Sequence, residues 1–157
     1  MKTANWTGLC LLHENEKEIY GDTPQRCHDI IVTMNSEYVK AIFDPANFVQ
    51  CDVETYPEAY RLLEKHIAYM HIKDALYRYH SVVPSGMGDG RVKDILTVLK
   101  GKKHDIFLSL EPHLGNFVGF RDLEPGSDTS NIPEGGPRQF AIAANALKKI
   151  LDEIGAM

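Results

Sequence analysis

Residues 67–74 read Ile-Ala-Tyr-Met-His-Ile-Lys-Asp. Ile67–Ile72 is a nearly unbroken apolar run with one histidine set into it, closed by a Lys-Asp pair. A continuous run of this length, rather than an alternating one, suits a strand covered on both faces, as in a parallel sheet. Three other stretches have the same character: Thr7–His13, Val39–Asp44 and Asp105–Leu110. A helical pattern follows each of the four. After the first, Thr23-Pro24 pairs a capping hydroxyl with proline at the first helical position, and Cys27, Ile30, Ile31 and Met34 recur at helical spacing. After the second, Pro57 opens a stretch with Tyr60, Leu63 and Ile67 on one side. After the third, a Gly- and Pro-rich loop leads into Val92, Ile95, Leu96 and Leu99. After the fourth, Phe140, Ala143, Ala144, Leu147, Ile150, Leu151 and Ile154 form a long stripe that ends at Gly155, a C-terminal cap. The order is β-α four times over, which predicts an α/β fold with a parallel sheet and right-handed crossovers.

The 157 residues suit a single domain, 1–157. At 43% hydrophobic and 25% charged, the composition is that of a globular chain and excludes a disordered or collagenous one. The net charge of −5 gives no electrostatic bias towards nucleic acid. Cys10, Cys27 and Cys51 are odd in number and contain no CxxC pair, so they read as reduced thiols rather than a disulfide framework. The opening residues, MKTANWTGLCLL, lack the apolar core of a signal peptide, and no stretch approaches the ~20 apolar residues of a membrane span. The expected location is the cytoplasm, with no membrane partner. Residues 112–137 are the one long irregular segment, and loops of that length serve as lids or binding loops.

Each strand-like run carries a chemical group at or near its end. These are Glu14, Asp44, His71 and Glu111. Successive members lie about one βα unit apart, ~30 residues or more. The carboxyl ends of parallel strands lie side by side, at the edge where α/β proteins build their sites. Three carboxylates crowd together only with large pKa shifts or a neutralising cation, and one divalent metal ion is the simplest cation. An O,O,O,N set suits Mn²⁺ or Mg²⁺, with Co²⁺ or Zn²⁺ as alternatives. A lone Glu after a strand is ordinarily solvated, and a lone His in an apolar run is ordinarily a bonded core residue. Four such residues at equivalent positions outweigh those separate readings.

Other residues are candidates for substrate contact. Lys73 alternates with His71 and either faces solvent or pairs with an anionic substrate. Asp74 orients a ligand imidazole, touches substrate or caps the turn. Asn47, three residues past Asp44, is placed to donate to a hydroxyl. His113 follows Glu111 by two and points the same way if the strand persists, whereas His13, next to Glu14, points the other way. Gly86-Met87-Gly88-Asp89-Gly90 is either a phosphate cradle at a helix start or a plain tight turn.

Together LLHENEKEIYGDTP, AIFDPANF, YMHIKDA, PSGMGDGRV and FLSLEPHL resemble the xylose isomerase-like barrel superfamily. That superfamily includes sugar-phosphate isomerases and epimerases, ketose 3-epimerases, inosose dehydratases and type-IV apurinic endonucleases. The resemblance spans Gly8 to Glu111 and implies a (β/α)₈ barrel with a divalent metal at its carboxyl end. It implies that Glu14, Asp44, His71 and Glu111 are the ligands. It also implies that Glu14 and Glu111 are catalytic, exchanging a proton at the carbon beside a sugar carbonyl through an enediolate. Proton abstraction there needs positioned bases and a Lewis acid. The expected activity is a metal-dependent isomerase or epimerase of a sugar or sugar phosphate. A polyol or ketoinositol dehydratase, or an inactive metal-binding half-domain, is the alternative. Asn47 stands where many relatives carry histidine, which with the acidic charge disfavours the endonuclease branch, and Met87 stands where relatives often have glutamate.

A full barrel needs ~250 residues. The four βα units match only its second half, which predicts a (βα)₄ half of a TIM-type barrel, completed by association or by a missing first half. A four-stranded open sheet leaves unpaired edges near Thr7–Leu12 and Ile106–Leu110. Leu9, Leu11, Ile42, Met70 and Leu108 are the apolar residues expected on its inward face. A homodimer through that open face is the expected assembly.

Overall fold

The computed structural model describes residues 8–103, 105–116 and 133–157. Four strands form one parallel sheet in the order β1 (Leu11–Glu14), β2 (Val39–Phe43), β3 (Ile67–Ile72), β6 (Phe107–Leu110). A separate two-stranded ribbon, β4 (Asp74–Ala75) and β5 (Val82–Val83), rises from the end of β3. The outermost strands are β1 and β6, at the two edges read from the sequence.

Three helices form where the sequence pattern places them, for local reasons. Helix α1 (Pro24–Met34) starts where the Thr23 hydroxyl accepts the Arg26 N–H with Pro24 at the first position. It stops at Asn35 in the left-handed region, φ 41°, and buries Pro24, Cys27 and Ile31. Helix α4 (Val92–Lys100) buries Val92, Ile95, Leu96 and Leu99, the expected stripe. Helix α5 (Pro137–Glu153) begins three residues before Phe140 and buries Ala143 and Ile150. Phe140 is exposed and not part of its buried face. At its end Gly155 takes φ 65°, and the N–H groups of Gly155 and Ala156 reach back to the carbonyls of Asp152 and Leu151. That is the bonding of a glycine-terminated Schellman cap.

The segment after β2 differs from expectation. The helix there is α2 (Pro45–Gln50), opening directly at the strand end, where the Asp44 carboxylate accepts the Asn47 N–H at 2.9 Å. Asp44-Pro45 is the same cap-plus-proline signal as Thr23-Pro24. The Pro57 stretch yields only a wide turn, Thr55–Ala59, and a single-turn helix, α3 (Tyr60–Leu63), while Ile67 belongs to β3.

Partners across a parallel ladder share a face, and alternate residues change face. The register pairs His13 with Ala41, Phe43 with Met70 and Ile72 with Leu110. This face carries Val39, Ala41, Phe43, Met70 and Ile72, all buried, and packs on the helices as the main core. The opposite face carries Glu14, Ile42, Tyr69 and Phe107 in one row, and His71 with Ser109 in the next. Met70 and Leu108 therefore point to the helices and not inward, and Leu11 shares their side. The inward apolar residues are Leu12, Ile42, Tyr69 and Phe107. Phe107 is 75% exposed and Leu12 38%, so this face is uncovered. The long segment 112–137, read from the sequence as a lid or binding loop, lies for the most part outside the described residues. Among the described residues no helix is long and apolar enough to cross a membrane.

Candidate metal centre

Glu14 ends β1, Asp44 follows β2, His71 sits in β3 and Glu111 follows β6. Strand parity puts all four on the uncovered face, each two or four residues on from the apolar row beneath. One ligand atom from each lies within 4.8 Å of every other. His71 Nδ1 is 2.9 Å from Glu14 Oε1, 3.4 Å from Glu111 Oε2 and 3.9 Å from Asp44 Oδ2. Tyr69 supports the imidazole edge-on at 5.5 Å and stacks on Phe107 at 6.2 Å, giving the cluster an aromatic floor.

The electrostatics are those of crowded charge. Hydrogen bonds to Glu111 and Glu14 raise the His71 pKa to about 10, so without a metal the imidazole is a cation between carboxylates. Burial pushes Asp44 up to about 6, against the opposing pull of Lys73. Burial also acts to raise Glu111, but its bonds from His71 and Lys73 win, and its carboxyl lies well below the usual range.

The residues fit a divalent ion. Asp44 is fully buried, and its Oδ2 has no hydrogen-bond donor. Lys73 Nζ approaches it to 3.3 Å, within ion-pair range but without hydrogen-bond alignment. A buried carboxylate oxygen with no donor normally has a cation. Three carboxylates and one imidazole form the donor set of a hard to borderline divalent ion.

The other expected residues fall into different places. Lys73 does not face solvent. Its side chain is 1% exposed, with Nζ 2.9 Å from Glu111 Oε2. Burial acts to lower its pKa, but Asp44 and Glu111 overcome this and hold it raised. Asn47 is buried, and its amide donates to Asn15 O at 3.0 Å, Glu16 Oε2 at 3.2 Å and Glu14 Oε1 at 3.3 Å. It aims Glu14 rather than opening to the solvent side. His113, φ 39°, is mostly buried with Nε2 4.0 Å from Glu111 Oε1, on the cluster side as expected.

Asp74 is not brought to the cluster. It is fully buried beneath the glycine-rich loop and accepts the N–H groups of Ala75, Gly86, Gly88 and Gly90 at 2.8–3.0 Å. Of its three readings, the geometry accords with the turn cap. The same bonds overturn the phosphate-cradle reading of Gly86–Gly90. Asp89 N–H also turns inward, to Ala75 O, and Met87 N–H to Pro84 O. The loop's N–H groups close on an anion the chain supplies itself. His13 points to the helix side, as expected from its parity, and packs under Gly21.

Sequence reasoning missed Asn15. It is 2% exposed, donates to Asp44 O at 2.8 Å and accepts Asp44 N–H at 2.9 Å. This two-way bond ties the ends of β1 and β2 together and fixes where Asp44 starts α2. An asparagine directly after Glu14, with no periodic pattern around it, gives no signal of that role.

Fold and connectivity define the class as α/β, a parallel (βα)₄ half of a TIM-type barrel, with the four-residue cluster at the carboxyl edge of its sheet. Among solved structures, the chain is similar to a xylose isomerase domain protein from Planctomyces limnophilus, at 19% identity and TM-score 0.65, covering 99% of this chain and 50% of that one. It is also similar to a D-tagatose 3-epimerase-like protein, at 17% identity and TM-score 0.69, covering 99% and 51%. A third is the probable 3-DHS dehydratase AsbF, involved in petrobactin synthesis, from Bacillus anthracis, at 13% identity and TM-score 0.65, covering 96% and 52%. The chain thus shares the fold of about half of each of these structures and spans about half their length. No protein-family profile and no curated protein sequence matches it.

Proposed function

We propose that this chain is the metal-binding half of a divalent-metal-dependent isomerase or epimerase acting on a sugar or sugar phosphate. The observation that carries the reading is the convergence of Glu14, Asp44, His71 and Glu111 on one point around a buried carboxylate oxygen with no donor. A Mn²⁺ or Mg²⁺ ion there, with Co²⁺ or Zn²⁺ as alternatives, would polarise a substrate carbonyl and its neighbouring hydroxyl. The chain's own residues do the rest. Glu14 ends β1 and Glu111 follows β6, the two outer strands, so the pair flanks the open face. One takes the proton from the carbon beside the carbonyl and the other returns it, through an enediolate of the substrate. Asn47 steadies Glu14, Lys73 and His71 steady Glu111, and His113, 4.0 Å from Glu111 Oε1 on the cluster side, meets a substrate hydroxyl or phosphate.

A polyol dehydratase is the second reading, favoured by the third structure above, itself named a probable dehydratase. Both chemistries begin with the same proton removal. Incubating the Mn²⁺-loaded protein with a ketose panel in D₂O separates them. Deuterium beside the carbonyl with altered stereochemistry or carbonyl position supports the first. Loss of water supports the second. No turnover with any member supports a metal-binding half-domain.

The half-barrel is completed by a second copy of the chain. The support is the pair of strand edges unpaired among the described residues, and an inward row in which Leu12 and Phe107 are exposed and Ile42 and Tyr69 half-buried. A two-fold along the barrel axis would pair β6 of each copy with β1 of the other, all strands parallel, and C₂ is the commonest symmetry. Sedimentation at micromolar concentration tests this, and a well-folded monomer would refute it. Three unpaired cysteines accord with a reducing, cytoplasmic location.

A further inference from the structure

We propose that the Lys73 ammonium is the resident counter-cation of this centre, holding the Asp44 and Glu111 carboxylates in place before the divalent ion arrives and ceding Asp44 Oδ2 to that ion when it binds. The inference rests on the metal reading above and adds to it a residue that is not a ligand. Lysine is almost never fully buried unless paired. Here the side chain is 1% exposed, and its two anionic contacts are both members of the candidate centre, Glu111 Oε2 at 2.9 Å and Asp44 Oδ2 at 3.3 Å.

Asp44 has one oxygen to offer. Its Oδ1 accepts the Asn47 N–H that starts α2, so an ion must take Oδ2, the oxygen beside Lys73. The contact there lacks hydrogen-bond alignment, whereas the bond to Glu111 is short and directed. Lys73 can therefore let go of Asp44 and stay on Glu111. The charges agree with such an exchange. Three carboxylates, one ammonium, a neutral imidazole and a divalent ion sum to neutrality. Without the ion, Lys73 at 3.3 Å is the nearer of the two cations beside Asp44 Oδ2, with His71 Nδ1 at 3.9 Å, and it compensates most closely a fully buried charge that is costly alone.

The test compares wild type, Lys73→Met, Lys73→Arg and the double variant Lys73→Met/Asp44→Asn, by thermal melts with and without saturating MnCl₂ and by Mn²⁺ calorimetry. Metal-free Lys73→Met is expected to melt about 10 °C below wild type. Mn²⁺ should close most of that gap and bind about tenfold more tightly, because a fixed positive charge beside the ion has gone. Lys73→Arg should melt near wild type. The double variant should melt above Lys73→Met without metal and bind no Mn²⁺. If Lys73→Met folds only when Mn²⁺ is added, that also supports the exchange. An equal deficit with and without Mn²⁺, or a double variant no more stable than Lys73→Met, would show a packing role and overturn it. Mn²⁺ that binds wild type but binds Lys73→Met more weakly overturns the Lys73 inference alone. Wild-type protein that takes up no Mn²⁺ overturns the metal reading and the exchange with it.

Discussion

Replacing Asp74 with alanine should be among the most damaging single changes outside the metal cluster. Its carboxylate is fully buried and takes four backbone N–H groups, from Ala75, Gly86, Gly88 and Gly90. Hydrogen bonds to a charged acceptor contribute about 1.5–3 kcal/mol each. The simple sum overshoots, for two reasons. Burial of the carboxylate is itself costly, as its raised pKa records. Gly86 is exposed, so its N–H can turn to water. Gly90 cannot, because it is buried against Pro45 and its carbonyl accepts the Thr55 hydroxyl at 2.8 Å. A net loss of ~3–5 kcal/mol is expected, the range for stranding partners of a buried charge. For a chain of this size that is roughly 6–20 °C in Tm. Asp74→Asn keeps one acceptor oxygen and should recover at most half. Urea denaturation followed by circular dichroism measures both. An Asp74→Ala protein within about 1 kcal/mol of wild type would refute the reading of this carboxylate as the anchor of the loop.

Gly21→Ala should cost about 1–3 kcal/mol by overpacking, since its new Cβ would run into the His13 ring beneath it. The His13→Ala/Gly21→Ala pair should regain part of that, and equal stability of Gly21→Ala and wild type in urea would contradict the packing. Alkylation should separate the thiols. Cys10 is exposed, while burial pushes Cys27 up to about 12 and Cys51 up to about 11. Iodoacetamide at mildly alkaline pH, mapped by mass spectrometry, should mark Cys10 first and Cys27 only on unfolding, and early labelling of Cys27 would count against a closed core beneath α1.

The strand order and the four-residue cluster were legible because both rest on coarse signals. Continuous apolar runs mark buried parallel strands whatever the neighbouring detail, and a polar residue at the end of such a run has one place to go. Which face each apolar residue takes was harder. In β3 nearly every residue is apolar, so the run itself has no period, and Met70 read as inward although its neighbour His71 fixes the opposite parity. A shift of one residue exchanges the faces entirely. Asp44 hid the start of α2 because it serves two purposes, capping the helix through Oδ1 and facing the cluster through Oδ2. The glycine loop misled for a related reason. Its inward N–H groups do bind an anion, but the anion is Asp74, brought by the chain from 12 or more residues earlier. Lys73 reads from the sequence as facing solvent or substrate, because no pattern reveals that a lysine two residues past His71 is buried against two carboxylates.

Mn²⁺ titration of the purified chain by calorimetry, with elemental analysis of wild type beside Glu14→Gln/Glu111→Gln, tests the centre most directly. One ion per chain is expected in wild type and none in the double variant, with both proteins folded. A tightly held ion surviving in the double variant would contradict the assignment of Glu14, Asp44, His71 and Glu111 as the metal site.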